Sequence, residues 1–141
     1  MVVSVIGLGY IGLPSAAILA SNDIKVFGID SNKSVVSSIN KGQVHIVEPY
    51  LDLLVQKAIV KGNLKAFIKP KSADIFMIAV PTPFKNKHEP DLSYIKSAVK
   101  DISHVIEKGN MIILESTVPV GTTENIKKWL LKERPDLNFP A

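Results

Sequence analysis

Apolar residues along this chain follow two alternating rhythms. Short, nearly continuous apolar runs predict strands at residues 2–6, 24–29, 64–68, 74–80 and 111–114, the fourth buried on both faces and the fifth also buried. Between them, apolar residues recur three and four positions apart, which predicts helices. An Ala-rich helix is expected over 15–21. A short one over 33–41 turns Val35, Val36 and Ile39 inward, and Gly42 stops it. The next, over 49–61, has Pro49 in its first turn, an apolar face of Leu51, Leu54, Val55, Ala58 and Ile59, and Gly62 at its end. A long helix capped by Asp91 carries Leu92, Ile95, Val99, Ile102 and Ile106 as far as Gly109. The last, capped by Thr122 or Thr123, buries Ile126, Trp129 and Leu130 before Pro135.

Strand and helix in strict alternation predict an α/β fold with a parallel sheet. The expected architecture is a three-layer α/β/α, Rossmann-type doubly wound sheet. Three strands run into unusual loops: Gly7 to Gly12, Pro81-Thr82-Pro83, and Ser116 to Gly121. In an open parallel sheet all three emerge at the carboxyl edge, where ligands bind. After the last helix, Asn138-Phe139-Pro140-Ala141 reads as the opening of a further strand. Residues 1–141 are therefore expected to be one domain truncated at the C-terminus, a piece of a longer protein.

The first loop carries the chemistry. An apolar strand enters Gly7-Leu8-Gly9-Tyr10-Ile11-Gly12, a helix follows, and a second strand ends on Asp30. Gly7 permits a tight turn, Gly9 lets backbone approach a pyrophosphate, and Gly12 lets the helix lie on the sheet. The helix N-terminus offers unpaired N–H groups and a partial positive charge to phosphates. Asp30 follows Gly12 by 18 residues, close to the roughly 20 expected for a carboxylate that holds a ribose. Ser31 or Asn32 can cap the next helix, which leaves Asp30 free. An acid there repels a 2′-phosphate, so NAD is expected over NADP, although Lys33 is nearby. The competing readings are a glycine turn with no ligand and an acid that only caps a helix.

Composition narrows the classes. With 141 residues and 46% apolar content, the chain can bury one core. A net charge of +4 from scattered lysines is no nucleic-acid footprint. The absence of cysteine excludes disulfides, thiolate metal sites and a cysteine nucleophile in this chain, and fits a cytoplasmic protein. Glycines and Pro14 break the longest apolar stretch, and no basic residue precedes it, so neither a membrane span nor a signal peptide is expected. His45 and His88 have no partners at metal-ligand spacing. The two histidines read as loop contacts, Glu48 as a helix-start acid, His104 as solvated and Trp129 as core. No metal is expected.

Taken together, the glycine loop with Leu13-Pro14, the strand ending at Asp30, Ala79-Val80-Pro81-Thr82-Pro83 and Glu115-Ser116-Thr117-Val118-Pro119-Val120-Gly121 resemble the NAD-binding N-terminal domain of the UDP-glucose/GDP-mannose dehydrogenase family. The resemblance covers essentially the whole chain. Within that family, His45-Ile46-Val47-Glu48-Pro49 and Pro81-Thr82-Pro83-Phe84 with His88-Glu89-Pro90-Asp91 are most similar to the UDP-N-acetyl-D-mannosamine dehydrogenases. The resemblance implies oxidation of a UDP-sugar's C6 alcohol to a carboxylate with two NAD. It also implies a cysteine nucleophile, a lysine and a glutamate further along, outside this chain, and homo-oligomerisation at full length. It assigns the pyrophosphate to Tyr10 and Ile11 beside Gly7, Gly9 and Gly12, and the adenosine ribose to Asp30. The cofactor cleft falls to Thr82 and its nicotinamide end to Thr117, a possible catalytic auxiliary. No catalytic residue proper is implied within the chain. One departure is Val35, where many relatives carry a basic residue. Thr82 and Thr117 also admit plainer readings, as part of a stiff turn and as a strand-end threonine. Two alternatives compete: a dehydrogenase of the 3-hydroxyacid or 6-phosphogluconate type, and a non-catalytic nucleotide-binding module.

Overall fold

The computed structural model describes residues 1–139. Five strands, β1 (Val2–Ile6), β2 (Lys25–Ile29), β3 (Leu64–Phe67), β4 (Ile75–Ile78) and β5 (Met111–Leu114), form one sheet in the order β3-β2-β1-β4-β5. Every pairing is parallel. Five α-helices accompany the sheet: α1 (Gly12–Ser21) links β1 to β2, α2 (Lys33–Asn40) and α3 (Leu51–Val60) link β2 to β3, α4 (Ser93–Ser103) links β4 to β5, and α5 (Thr122–Glu133) follows β5. The sheet is the Rossmann-type arrangement expected, with a buried cluster on each face. Val3 and Val5 pack with Leu13, Ala17, Val55 and Ala58 under α1 and α3. Ile6, Phe76 and Ile78 pack with Ile95, Ile102 and Leu130 under α4 and α5.

The element ends differ from expectation, each for a local reason. Helix α1 begins at Gly12 rather than Ser15, because Pro14 sits in the first turn, where its missing N–H has no helical partner to lose. Helix α3 begins at Leu51. Pro49 stays outside it, because Tyr50 takes a left-handed conformation, φ 63°, just before the helix. Strand β4 stops at Ile78, ahead of Pro81 and Pro83. Helix α4 ends at Ser103, so His104 caps it from an exposed position rather than sitting mid-helix. Arg134 Nη1 donates to the carbonyls of Ser103 (3.0 Å) and Ile106 (2.9 Å), which satisfies the end of that helix. Its other nitrogens grip Asp136, whose carboxyl is held below its usual range by this hydrogen bonding.

At the other end of α4 the cap position is Leu92 rather than Asp91, but Asp91 Oδ1, one residue earlier, accepts the Ser93 N–H at 2.9 Å. Hydrogen bonding to Ser93 lowers its carboxyl pKa. The threonines do not cap α5. Gly121, at φ 89°, precedes the helix, and Thr122 Oγ1 donates back to the Pro119 carbonyl at 2.7 Å. Trp129 is half-buried and packs against the cluster beneath α4 and α5. Strand β5 was expected to be buried, but it is an edge strand. Met111 is 57% exposed and Ile112 to Leu114 are half-covered. Asn138 and Phe139 form no strand, and the rest of the expected strand lies outside the described residues.

One core residue breaks the pattern. Ser4 lies on central strand β1 between Phe27 and Phe76, fully buried, and its hydroxyl has no partner among the described residues. An unpaired buried polar group costs about 1–3 kcal/mol. Ser4→Ala is therefore expected to hold or raise stability, by up to ~1 kcal/mol after some packing loss. Thermal unfolding reads the change, and a clear drop would show that the hydroxyl finds a partner.

Candidate functional site

Strand β1 sits where the chain's progress reverses, with β2 and β3 on one side and β4 and β5 on the other. A parallel sheet with such a switch point opens a crevice at its carboxyl edge. The glycine turn lies in that crevice. Gly7 adopts φ 94°, and a Cβ there would stand 2.7 Å from the Ala79 carbonyl oxygen. At Gly12 a Cβ would stand 1.7 Å from the Gly7 carbonyl oxygen, so α1 is pressed onto the turn. Gly9 is different, with nothing within 4 Å of where its Cβ would be. The fold requires two of the three glycines. The third keeps open space that the fold does not use.

The N-terminus of α1 is equally open. Ile11 offers no side-chain cap, and the first turn holds no acid. The other described helices differ: Asn32 caps α2, Asp91, one residue before the Leu92 cap of α4, accepts the Ser93 N–H, and Asp52 and Glu124 sit in the first turns of α3 and α5. Among the described residues, the backbone N–H groups of Tyr10, Ile11 and Gly12 make no hydrogen bond. Unpaired donors at a positive dipole end suit a phosphate. Tyr10 and Ile11 are 66% and 55% exposed at the mouth.

Asp30 is not as free as expected. Its Oδ2 accepts the Leu8 N–H at 3.1 Å and its Oδ1 accepts the Asn32 N–H at 2.9 Å, while Asn32 caps α2 through Ser34. The carboxylate is pinned between the glycine turn and α2. Each oxygen keeps a lone pair, so hydroxyls can still donate to it.

Two clefts flank the turn and share Val80 and Pro81. One, of ≈ 250 Å³, has Gly7, Asp30 and Ser31 in its wall, with Tyr94 and Ala98 from α4. The other, of ≈ 360 Å³, has Gly9, Tyr10, Ile11, Thr82 and Thr117. Ligand sites commonly run to about 300–1,000 Å³, so a long ligand lying across the turn would use both. Thr82 Oγ1 donates to the Thr117 carbonyl at 2.8 Å, which leaves the Thr82 hydroxyl only as an acceptor.

Residues 1–140 match the family described as UDP-glucose/GDP-mannose dehydrogenase family, NAD binding domain. The chain belongs to this family. The UDP-N-acetyl-D-mannosamine dehydrogenase of Campylobacter jejuni is 61% identical over 98% of the chain. The NDP-N-acetyl-D-galactosaminuronic acid dehydrogenase of Ralstonia nicotianae is 53% identical over 98% of the chain. The solved UDP-D-ManNAc dehydrogenase of Pyrococcus horikoshii superposes with a TM-score of 0.91, at 38% identity over 96% of the chain. The chain spans about a third of these proteins: 34%, 33% and 33% of their lengths.

In this member of the NAD-binding family, the structure gathers Gly7, Gly9, Tyr10, Ile11, Asp30, Thr82 and Thr117 along one rim, with Gly12 packed beneath. His45, His88 and Glu48 line neither cleft, and the His88 ring meets Phe84 edge-on at 6.0 Å. No group of metal-binding side chains occurs among the described residues, and no helix there is long and apolar enough to cross a membrane. Sequence reasoning did not single out several cleft residues, among them Ser31, Tyr94, Glu115 and Ser116. For Ser116 the available signal was a hydroxyl beside strand-ending prolines.

The glycines separate fold from ligand. Gly12→Ala is expected to destabilise the chain by several kcal/mol, because backbone must move to admit the methyl. Gly9→Ala is expected to leave the melting temperature nearly unchanged, because its Cβ meets nothing. Equal losses in thermal unfolding would contradict this division.

Proposed function

We propose that residues 1–141 form the NAD-holding domain of a nucleotide-sugar 6-dehydrogenase, which oxidises the C6 alcohol of a UDP-sugar to the uronate. The observation that carries this reading is the open, uncapped start of α1 above Gly9, set between Asp30 and the Thr82–Thr117 loops. These residues fit a dinucleotide. The N–H groups of Tyr10, Ile11 and Gly12 would hold the pyrophosphate, and the free lone pairs of Asp30 the adenosine ribose hydroxyls. The far cleft, with Thr117, would take the nicotinamide end. When bound, NAD would supply the hydride acceptor. The chain's own part is to orient it and to exclude the 2′-phosphate of NADP by charge at Asp30.

UDP-N-acetylmannosamine is the sugar this reading favours, since relatives of that name are 61% and 56% identical. The galactosaminuronate relative at 53% marks the nearest alternative. Catalytic and sugar-gripping groups would belong to the rest of the longer protein, with Thr117 as an auxiliary. The full-length enzyme would be a cytoplasmic homo-oligomer. The relatives named above are nucleotide-sugar dehydrogenases, which favours this reading over a 3-hydroxyacid dehydrogenase or a non-catalytic module.

NAD is expected to bind this chain in calorimetry, and Asp30→Ala to weaken NAD more than NADP. Both should lose the Leu8 tie, but only NAD loses a ribose acceptor. Equal losses would deny Asp30 its ribose role. The full-length protein is expected to release two NADH per UDP-N-acetylmannosamine. One NADH per sugar, or none, would sink the proposed reaction.

A further inference from the structure

Strands β4 and β5 pair as far as Ile78 and Leu114, and the Glu115 N–H adds a last backbone rung to the Ile78 carbonyl at 2.8 Å. Beyond that rung no further backbone hydrogen bond joins the two loops among the described residues. Two hydroxyls continue the connection. Ser116 Oγ donates to the Val80 carbonyl at 2.8 Å, and Thr82 Oγ1 donates to the Thr117 carbonyl at 2.8 Å. The bonds run in opposite senses, so each loop supplies one donor and one acceptor. Neither loop can slide or splay without breaking one of them.

Both loops wall the cleft that faces Gly9, Tyr10 and Ile11. Asp30 lies in the other cleft. A dinucleotide with its adenosine ribose at Asp30 therefore places its nicotinamide end between the loops. We infer that Thr82 and Ser116 are positioning residues, a reciprocal hydroxyl latch that holds the β4 and β5 loops at the spacing the nicotinamide end requires. This rests on the NAD reading above. The latch also gives Thr82 a different role from the cofactor contact expected of it: its hydroxyl proton is engaged by Thr117, so it shapes the wall that the ligand meets. A wall held in its binding arrangement avoids the loss of affinity that a partly populated competent state imposes.

The test uses calorimetry on the 141-residue chain with two ligands, NAD and ADP-ribose. ADP-ribose keeps both riboses and the pyrophosphate but lacks the nicotinamide, so it reads the glycine turn and Asp30 without the ring that the loops would clasp. Thr82→Val and Ser116→Ala are each expected to weaken NAD about fivefold, in line with the loss of one net hydrogen bond, and to leave ADP-ribose within about twofold. Thr82→Ser, which keeps the hydroxyl, is expected to bind NAD like the parent. NAD affinity unchanged in both variants overturns the latch and leaves the cofactor reading standing. So does an equal loss of both ligands, the mark of a merely structural role. If the parent chain binds neither ligand, the cofactor reading fails and the latch fails with it.

Discussion

The first turn of α1 rests on the Gly7 carbonyl so closely that position 12 has no room for a side chain. This contact sets the geometry of the whole carboxyl rim. It fixes the helix axis against the centre of the sheet and brings unpaired N–H groups to the place where the strand order reverses. Were α1 to stand off by the width of a methyl group, its dipole would point past the crevice instead of into it. The buried apolar residues Leu13, Ala16, Ala17 and Ala20 hold it down, and three of those four are alanine because a larger side chain would lift the helix.

Around this contact the chain separates positive from negative. The α1 terminus is left without an acid or a cap, while its neighbours each receive one or the other. Such a difference has no benefit for stability, because a cap is worth about 1 kcal/mol. It makes sense if the donors are kept for an anion. The carboxylate of Asp30 stands on the other side of the turn, where a ribose rather than a phosphate would meet it. A dinucleotide presents these two chemistries in that order.

All ten strands and α-helices were legible from the sequence, because short apolar runs alternate with longer stretches of helical spacing, each bounded by glycine, proline or polar residues. Their ends were less so. Tyr50 in a left-handed conformation and Arg134 on the carbonyls closing α4 are tertiary decisions that no local pattern announces. The burial of β5 was misjudged because its apolar residues look the same at an edge as in the middle. Within the site, the glycines and Asp30 could be read from spacing. The tie from Leu8 to Asp30 spans 22 positions and the two hydroxyl bonds span 35 and 36, so they became visible only when the strands were laid side by side.

The bond between Asp30 and the Leu8 amide braces the glycine turn. On the proposed reading the same side chain would also select the ribose. Coenzyme preference and loop shape would then be coupled at a single residue. An engineer who exchanges Asp30 for a small neutral residue to admit a phosphorylated coenzyme also removes a strut from the turn. An asparagine, which keeps an acceptor oxygen for the amide, is the gentler starting point for re-tooling this domain.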